Sequence, residues 1–406
     1  MTIPVDKPTY GNLDGLKVLY SAVEIAVPTA AEILSEWGAD VTWMENTFTG
    51  DSVRDTVYVK EMERRNQRSL SMNPFSEEGR EILLKLIADA DIFIESSKGP
   101  VWARKGITDE VLWEVNPKLV IVHVSGFGHE GDPARVNSAA YDLTVQDYAG
   151  YVYQNGTPEQ PMTAAPYTAD YFNALMVVSS AMAAVYRAQK TGEGESIDLA
   201  MYETMLRVGV YYMVDYLNEG VEYPRAGARN QNLCAIGQYK CADGFIGLCV
   251  YGVPQNKYLL ETIGLGHLWG TEEYPEDCSA LWLSSSQAPL IEQKLEEYLI
   301  TRSADDVEND FTANKIAAQK CLTFDDIVAE EHTKLRENFI EWENKDGKTI
   351  KGLNTVPRFA KRPGQFWRPM PALGYDTRDI LQKAGFSDED IQRFEASGKV
   401  KFGDVE

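Results

Sequence analysis

The chain has 406 residues, of which 44% are hydrophobic and 25% charged, a composition typical of a globular protein with a large core. This length predicts two or three domains, or one large domain with a big insertion. Its 39 basic and 62 acidic side chains give a formal net charge of −23, which repels nucleic acid and anionic lipid. We therefore expect neither as a partner, and a phosphate-bearing ligand would need a local basic patch.

The cysteines and the apolar runs indicate a cytoplasmic protein that needs no metal. There are five cysteines, all beyond residue 230, and none forms a C-x-x-C pair. An odd number fits a reducing compartment, and zinc sites need close ligand pairs. The polar start, MTIPVDKPTYGNLDG, has no signal core, and no stretch approaches the roughly 20 apolar residues of a membrane span.

In the first 125 residues, strand patterns alternate with helical patterns. Buried strands are predicted at Leu16–Tyr20, Val41–Met44, Asp91–Glu95 and Leu119–Val124. Helices are predicted at Pro28–Trp37, from Ser76 to about Ala90, and at Thr108–Val115. This alternation favours an α/β fold in which helices cover both faces of a parallel sheet.

The remainder predicts a second region between helical segments. A long helix from Asp170 to about Gln189 precedes a strand at Ser196–Met201 and a helix at Tyr202–Asn218. The second region begins near Gly227, with a hairpin at Gln238–Val250, helical pattern over Gln287–Glu308 and a strand at Ala317–Leu322. This last strand resembles a return to the kind of architecture seen in the first region. The segment Arg378–Ser397 is typical of two short helices.

Two motifs receive structural rather than functional interpretations. Gly126–Gly131 matches G-x-G-x-x-G after a strand, but no helix pattern opens there, so we predict a glycine-rich turn and no dinucleotide site. His123 lies within an apolar strand and is predicted to be a core residue with satisfied hydrogen bonds. No serine nucleophile elbow and no H-E-x-x-H motif is present.

Asp170 has two compatible interpretations. An aspartate at a helix start caps free backbone N–H groups, and this is the more frequent role of such a residue. The helix dipole would also keep such a carboxylate ionised, and an ionised, partly desolvated carboxylate can attack a thioester.

Basic residues cluster twice. Lys60, Arg64, Arg65 and Arg68 form a first group, which we interpret as a solvated face with Glu61 and Glu63 interleaved. Lys98, Arg104 and Lys105 form a second group, which follows a predicted strand where α/β sheets place ligand loops. For this group, phosphate binding and simple solvation are equally supported.

Taken together, several segments resemble the family III CoA-transferases, in the order found in that family and over nearly the whole chain. These segments are Gly38–Glu45, Ser96–Pro100, Val124–Gly128, Ala140–Asp142, Pro166–Phe172 and Gly192–Asp198. Within the family, the chain is most similar to the carnitine CoA-transferase branch. The segments that carry this similarity are Ala103–Trp113, Pro166–Phe172, Tyr239–Gly244 and Gly364–Arg368. Bile-acid CoA-transferases share the SSKG and hairpin segments.

The resemblance implies a Rossmann-like large CoA-binding domain made of residues 1–225 and 325–406, a small inserted α+β domain at 226–324, and an interlocked homodimer. It aligns Asp170 with the catalytic aspartate, and Lys98 and Lys105 with CoA-contacting basic residues. Arg104 is the adjacent alternative to Lys105. Val27 departs from the glycine that relatives often have before Pro28.

The implied function is transfer of CoA between an acyl-CoA and a free carboxylic acid through aspartyl anhydride and aspartyl-CoA thioester intermediates. The CoA thioester is a co-substrate, and neither metal nor a tightly bound prosthetic group is required. The expected acids are carnitine, crotonobetaine and γ-butyrobetaine, whose quaternary ammonium binds aromatic faces. Candidate aromatic residues are Tyr167, Tyr171, Tyr211, Tyr212 and Tyr216, and the loop around Gly237 is the candidate oxyanion donor. A bile-acid or aryl-acid CoA-transferase and a non-catalytic CoA-binding subunit remain the alternatives.

Overall fold

The computed structural model describes residues 3–403, apart from the side chains of residues 210 and 211. The chain divides into two compact units. The first contains the chain up to Gly150, then Ala165–Val210 and the chain from Lys334 onward. The second contains Tyr151–Ala164 and Tyr211–Thr333. None of the helices in the described part of the chain is both long and apolar enough to cross a membrane.

The first unit is built on a seven-stranded sheet whose strands were largely predicted. The strands are β1 (Lys17–Ser21), β2 (Asp40–Glu45), β3 (Gln67–Met72), β4 (Ile92–Ser96), β5 (Val120–Ser125), β6 (Glu195–Ala200) and β12 (Val400–Lys401). Their order is β12-β3-β2-β1-β4-β5-β6. Strands β1 to β6 pair in parallel, and β12 pairs antiparallel with β3. The predicted α/β class with a parallel sheet is confirmed, and the order of β1 to β6 is that of the Rossmann fold.

Helices connect these strands. They are α1 (Ala26–Glu36), α2 (Val59–Glu63), α3 (Glu77–Ile87), α4 (Val101–Arg104), α5 (Asp109–Val115), α6 (Pro133–Val136), α7 (Asp142–Tyr148), α9 (Thr168–Thr191), α10 (Met201–Val208), α17 (Thr377–Lys383) and α18 (Asp388–Ser397). The apolar side of α3, with Ile82, Leu83 and Ile87, is buried in the core against the sheet. The two C-terminal helices predicted from the sequence are confirmed.

Strand β3 was not predicted, because its side chains are mainly polar. All six residues of Gln67–Met72 are nevertheless buried. The polar groups find partners inside the unit: Arg68 Nε donates to Asp40 Oδ1 at 2.7 Å, and Ser69 Oγ donates to Glu45 Oε2 at 2.8 Å. A periodicity search for apolar residues misses a strand whose burial depends on partners distant in sequence.

A second missed element is the hairpin of β10 (Phe339–Glu343) and β11 (Thr349–Leu353), which also belongs to the first unit. The two strands pair antiparallel, with Trp342 opposite Ile350. Both of these side chains are buried, whereas most neighbouring residues are exposed. The alternation is therefore that of a sheet with one covered face.

The second unit carries its own core and a three-stranded sheet. Its elements are α8 (Tyr151–Gln154), β7 (Ile236–Lys240), β8 (Phe245–Cys249), α12 (Val253–Thr262), α13 (Ala288–Leu299), α14 (Ala304–Ala313), β9 (Ala317–Lys320) and α15 (Phe324–Ala329). Two further helices, α11 (Val210–Glu219) and α16 (Glu331–Leu335), lie where the chain passes between the units. The predicted hairpin is confirmed, since β7 and β8 pair antiparallel across Asp243-Gly244.

The strand at Ala317–Leu322 does not mark a return to the architecture of the first region. Strand β9 pairs antiparallel with β8 in the sheet β7-β8-β9. Its residue Ala318 and the preceding Ile316 are buried in the core of the second unit together with Phe311. A short apolar strand has no sequence feature that selects one sheet over another, and here the local connection from α14 selects the nearer one.

A buried ion pair attaches the C-terminal segment to the large sheet. Arg368 Nη1 and Nη2 donate to the two oxygens of Asp376 at 2.9 and 2.5 Å, and neither side chain is exposed. Asp376 Oδ2 also accepts the backbone N–H of Ser69 in β3 at 2.8 Å. The bidentate pair fixes the Asp376 carboxylate. Through its bond to Ser69, this carboxylate joins the C-terminal segment to a strand 307 residues earlier in the sequence.

We predict that Arg368→Met destabilises the first unit by about 3–5 kcal/mol, because it leaves the Asp376 charge buried without its partner. The measurement is urea unfolding followed by circular dichroism. The matched control is Arg393→Met, which removes an exposed pair with Glu81 and should barely move the unfolding midpoint. Equal midpoints for Arg368→Met and the wild type would contradict this role.

Candidate active site

The first turn of α9 presents Asp170, but Asp170 does not cap the helix as predicted. The helix begins at Thr168, and its N-cap is Tyr167, whose φ of 65° lies in the left-handed region. The carboxylate that binds the helix terminus is that of Asp142, whose Oδ1 accepts the Ala169 N–H at 2.7 Å. Among residues 3–403, no hydrogen bond to the Asp170 carboxylate is found, so the carboxylate remains available to a ligand.

The surroundings of Asp170 also overturn the expectation that the helix dipole keeps it ionised. Burial first, and then the charges of Asp142 and Glu24, raise the pKa of Asp170 to about 7. A helix terminus contributes about 0.3–1 kcal/mol in favour of an anion. Desolvation together with two like charges outweighs that contribution.

Glu63 holds the starts of α1 and α9 together. Its Oε1 accepts the Tyr171 hydroxyl at 2.8 Å, and its Oε2 accepts the Thr29 hydroxyl at 2.5 Å. Tyr171 follows Asp170 in α9, and Thr29 lies in the first turn of α1. Burial and the Glu63 charge raise the pKa of Tyr171, so that its hydroxyl stays a hydrogen-bond donor at neutral pH.

The side chains of the second basic group are accessible to a ligand. Lys98, Arg104 and Lys105 are all exposed, Lys98 on the loop after β4 and the other two at the end of α4. Within the described part of the chain, none of the three forms an ion pair. In a chain of net charge −23, three unpaired cations at the carboxyl end of one strand are a local exception.

The first basic group is not the solvated face that we predicted. Arg64 is buried and its Nη2 donates to Asp51 Oδ2 at 2.5 Å. Arg65 is also buried and pairs with Glu32 and Glu36 of α1. These guanidinium groups have their partners inside the protein, so the group forms neither a phosphate site nor an exposed patch.

A cavity of about 390 Å³ opens at the carboxyl ends of the parallel strands. Its lining includes Ser21 at the end of β1, Asn73 after β3 and Ser96 at the end of β4, with the aromatic rings of Phe48 and Phe75. Between β1 and β4 the order of the strands reverses, and ligands of such sheets bind at this switch point. Sequence analysis missed the cavity, although its strand ends were predictable.

The glycine-rich segment after β5 is the turn that was predicted. Gly128 N–H donates to Ser125 Oγ at 2.8 Å, and only the four-residue α6 follows. At Gly126 an added Cβ would lie 2.1 Å from the Cβ of Ala140, so glycine is required for close packing. A short helix of this kind offers no dinucleotide site.

His123 is a satisfied residue, also as predicted. Its Nδ1 and Nε2 lie 2.7 Å from Glu95 Oε1 and 3.0 Å from Asp109 Oδ1. Burial disfavours the charged ring, but these two hydrogen bonds raise the pKa of His123 to about 9. His129 brings a third potential ligand atom within 4.8 Å, yet both His123 nitrogens already act as donors to carboxylates.

The comparisons with known proteins agree with this geometry. The model of CoA-transferase family III matches residues 13–377, and the chain therefore belongs to that family. Members transfer CoA, so the acyl-CoA and carboxylate substrate classes apply to this chain, with the CoA thioester as co-substrate.

Solved structures show the same fold. A CAIB/BAIF family protein from Brucella suis is 26% identical, with a TM-score of 0.76 over 93% of this chain and 100% of that one. Rv3272 from Mycobacterium tuberculosis is 22% identical, with a TM-score of 0.78 over 93% of this chain and 100% of its own. A single-residue mutant of Rv3272, with an aspartate changed to alanine, has a TM-score of 0.79 at 20% identity, over 92% of this chain and 99% of its own.

The raised pKa of Asp170 predicts a specific pH dependence of stability. The folded state binds the proton more tightly than the unfolded state, so the contribution to stability is complete below about pH 4 and is lost as the pH rises to about 7. Asp170→Asn should therefore be more stable than the wild type above pH 7, by on the order of 2 kcal/mol. The measurement is urea unfolding of both proteins from pH 5 to pH 9.

The free-energy difference between the two proteins should grow between pH 5 and 7 and stay level above pH 8. Asp147→Asn, a change of an exposed aspartate on α7, is the matched control and should show no such trend. A difference that is constant over the whole range would show that Asp170 titrates normally.

Proposed function

We propose that the protein moves CoA between an acyl-CoA and a free carboxylic acid with Asp170 as the nucleophile. Asp170 attacks the thioester carbonyl, and CoA thiolate leaves as an acyl–aspartyl anhydride forms. The thiolate attacks the aspartyl carbonyl, which releases the first acid and leaves an aspartyl-CoA thioester. The acceptor carboxylate displaces the thiolate to form a second anhydride, and the thiolate then takes the new acyl group. One CoA thioester is consumed and another is formed, so the free energy of the thioester bond is conserved.

The observation that carries the proposal is the state of the Asp170 carboxyl. It is half-buried in the first turn of α9, and within the described residues its oxygens accept no hydrogen bond. Its pKa of about 7 makes the ionised form both accessible at neutral pH and more basic than an ordinary carboxylate. A poorly solvated, basic carboxylate is a stronger nucleophile than one held by donors.

The second basic group and the cavity of the first unit support the proposed contacts with CoA. Lys98 lies on the loop after β4, and Lys105 and Arg104 lie one short helix later. We assign the CoA phosphates to this group and the nucleoside end to the cavity beside Phe48 and Phe75. Val27, at the position where relatives often have glycine, is buried in α1.

For the acid we propose the betaine type, with carnitine, crotonobetaine or γ-butyrobetaine as substrates. Tyr167 is exposed at the start of α9 and Tyr171 follows Asp170, so both can present a ring to a quaternary ammonium. Tyr212 and Tyr216 belong to the second unit, and the side chain of Tyr211 lies outside the described residues.

The remaining parts of the proposal rest on family resemblance. The oxyanion donors are assigned to the loop around Gly237, a residue of β7 whose φ of 146° and close approach to Ala228 O require glycine. We also propose the interlocked homodimer, and the division into a large domain (1–225 with 325–406) and an inserted one (226–324).

The decisive prediction is a covalent modification. When the protein is incubated with γ-butyrobetainyl-CoA and then treated with hydroxylamine or borohydride, peptide mass mapping should show a changed Asp170. Both proposed intermediates are activated acyl groups on this side chain and should be captured. Asp170→Ala should lower transfer by roughly 10³-fold or more and abolish the modification, whereas Asp147→Asn should change neither.

Turnover with no mass change at Asp170, under conditions that trap a control anhydride, would exclude the proposed cycle. A panel of carboxylic acids in the same assay distinguishes the betaine type from bile acids and aryl acids. Binding of CoA with no transfer to any acid would favour the non-catalytic subunit.

We also predict that Lys98→Ala weakens CoA binding, by about three- to tenfold at low ionic strength, because screening is least there. Lys118→Ala is the matched control, since this exposed lysine precedes β5 and so lies at the amino ends of the strands. Isothermal titration with CoA at two salt concentrations measures both. Equal affinities of Lys98→Ala and the wild type at low salt would remove Lys98 from the site.

A further inference from the structure

Two histidines and a glutamate meet on one face of the large sheet. Glu95 of β4 is paired with His123 of β5, and His129 lies in the glycine-rich turn after β5. One potential ligand atom from each residue lies within 4.8 Å of the other two. The Glu95 side chain is 0% exposed, and those of both histidines are 13% exposed. Divalent transition metals prefer such a set of two imidazoles and one carboxylate.

His129 supplies the observation that points to a ligand. Its Nε2 is buried, and within the described part of the chain this atom has no hydrogen-bond partner. Buried polar atoms almost always have a partner, and a bound ion is one way in which such an atom is satisfied. The backbone of His129 is fixed, because its N–H donates to Asp198 Oδ2 at 2.8 Å.

The distances suit coordination of one ion after a small adjustment. In a tetrahedral zinc site, bonds of about 2.0–2.2 Å place neighbouring ligand atoms roughly 3.3–3.6 Å apart. His129 Nε2 lies 3.6 Å from Glu95 Oε1, and His123 Nδ1 lies 2.7 Å from the same oxygen. Only the second distance needs to open, by about 0.6 Å.

The other two side chains are held by outer partners, as metal ligands usually are. Ser97 Oγ donates to Glu95 Oε2 at 2.6 Å, which leaves Oε1 for a cation. Asp109 Oδ1 lies 3.0 Å from His123 Nε2 and accepts its proton. With Nε2–H held in this way, His123 offers Nδ1 to a metal, as in carboxylate–histidine–zinc sites.

We propose that Glu95, His123 and His129 bind one divalent transition-metal ion of the Zn²⁺ or Co²⁺ type. The ion takes the place of the proton that His123 Nδ1 donates to Glu95 Oε1, and that proton leaves to solvent. A cavity of about 510 Å³ is lined by both histidines, together with Asp109 and Asp198. A water molecule from this cavity completes the coordination.

The ion would join β4, β5 and the turn after β5. Through Glu95 and Ser97 it would also act on the loop that carries Lys98. Because the ligands come together only in the folded chain, binding stabilises the folded state. This site takes no part in the proposed transfer reaction, so its test needs no activity measurement.

The test is isothermal titration of the untagged full chain with ZnCl₂ after dialysis against EDTA, at mildly alkaline pH, where the ligands lose their protons. The wild type should bind one ion per chain. His129→Gln should weaken binding about a hundredfold or more, and Asp109→Asn, which removes the outer partner of His123, about tenfold. His332→Gln, a change of an exposed histidine on α16, is the matched control and should leave the affinity unchanged.

A titration with Co²⁺ distinguishes this site from the free thiols, of which Cys249 and Cys321 are exposed. Co²⁺ on nitrogen and oxygen ligands gives weak visible bands, whereas thiolate ligands add an intense charge-transfer band in the near ultraviolet. We expect the visible bands alone, and we expect His129→Gln to lose them.

The outcomes separate the site from adventitious binding. A urea midpoint that rises with Zn²⁺ in the wild type and not in His129→Gln supports the site. Three results overturn it: no binding at submillimolar Zn²⁺, an affinity of His129→Gln within twofold of the wild type, or a Co²⁺ spectrum dominated by the thiolate band. If His129→Gln does not fold, Asp109→Asn decides, and an unchanged affinity of that variant overturns the site.

Discussion

The first unit depends on one short buried segment, Glu63–Asn66, between α2 and β3. Glu63 binds the starts of α1 and α9. Arg64 donates to the carbonyl of Glu24, whose φ is 64°, and to Asp51, which accepts the Glu24 N–H. Arg65 pairs with Glu32 and Glu36 along α1 and donates to the Leu353 carbonyl of β11 at 2.9 Å. Asn66 Nδ2 donates to the Gln365 carbonyl at 2.6 Å, and its Oδ1 accepts the Trp367 N–H at 2.8 Å. Four consecutive polar side chains thus connect elements from both ends of the chain.

Polar groups at the centre of a unit impose geometry more strictly than apolar contacts do. An unpaired buried guanidinium or carboxylate strongly destabilises the folded state. The network is therefore stable only when every charged group in it has its partner. The arrangement around Asp170 follows from this constraint. Its neighbours are not free to relax away from one another, because Asp142 caps α9 and Glu24 is clamped by Arg64. Burial of Asp170, and then the charges of Asp142 and Glu24, raise its pKa, so this shift follows from groups that the fold brings together.

The two ends of the proposed site carry charges of opposite sign. Around Asp170 the charges are negative, whereas Lys98, Arg104 and Lys105 provide cations after β4. The net charge of −23 gives the chain a negative background potential. Against this background, the second basic group is the positive site to which we assign the CoA phosphates.

The sequence by itself determined the class of fold, because alternating buried strands and amphipathic helices specify a covered parallel sheet. It also determined that Asp170 stands at the start of a long helix, since the apolar run of α9 begins there. It did not reveal β3, whose polar residues lack a periodic pattern, nor the roles of Glu24, Asp142 and Glu63. Only the tertiary structure decided these, because a pKa, a strained φ and a buried ion pair depend on groups brought together from distant parts of the chain.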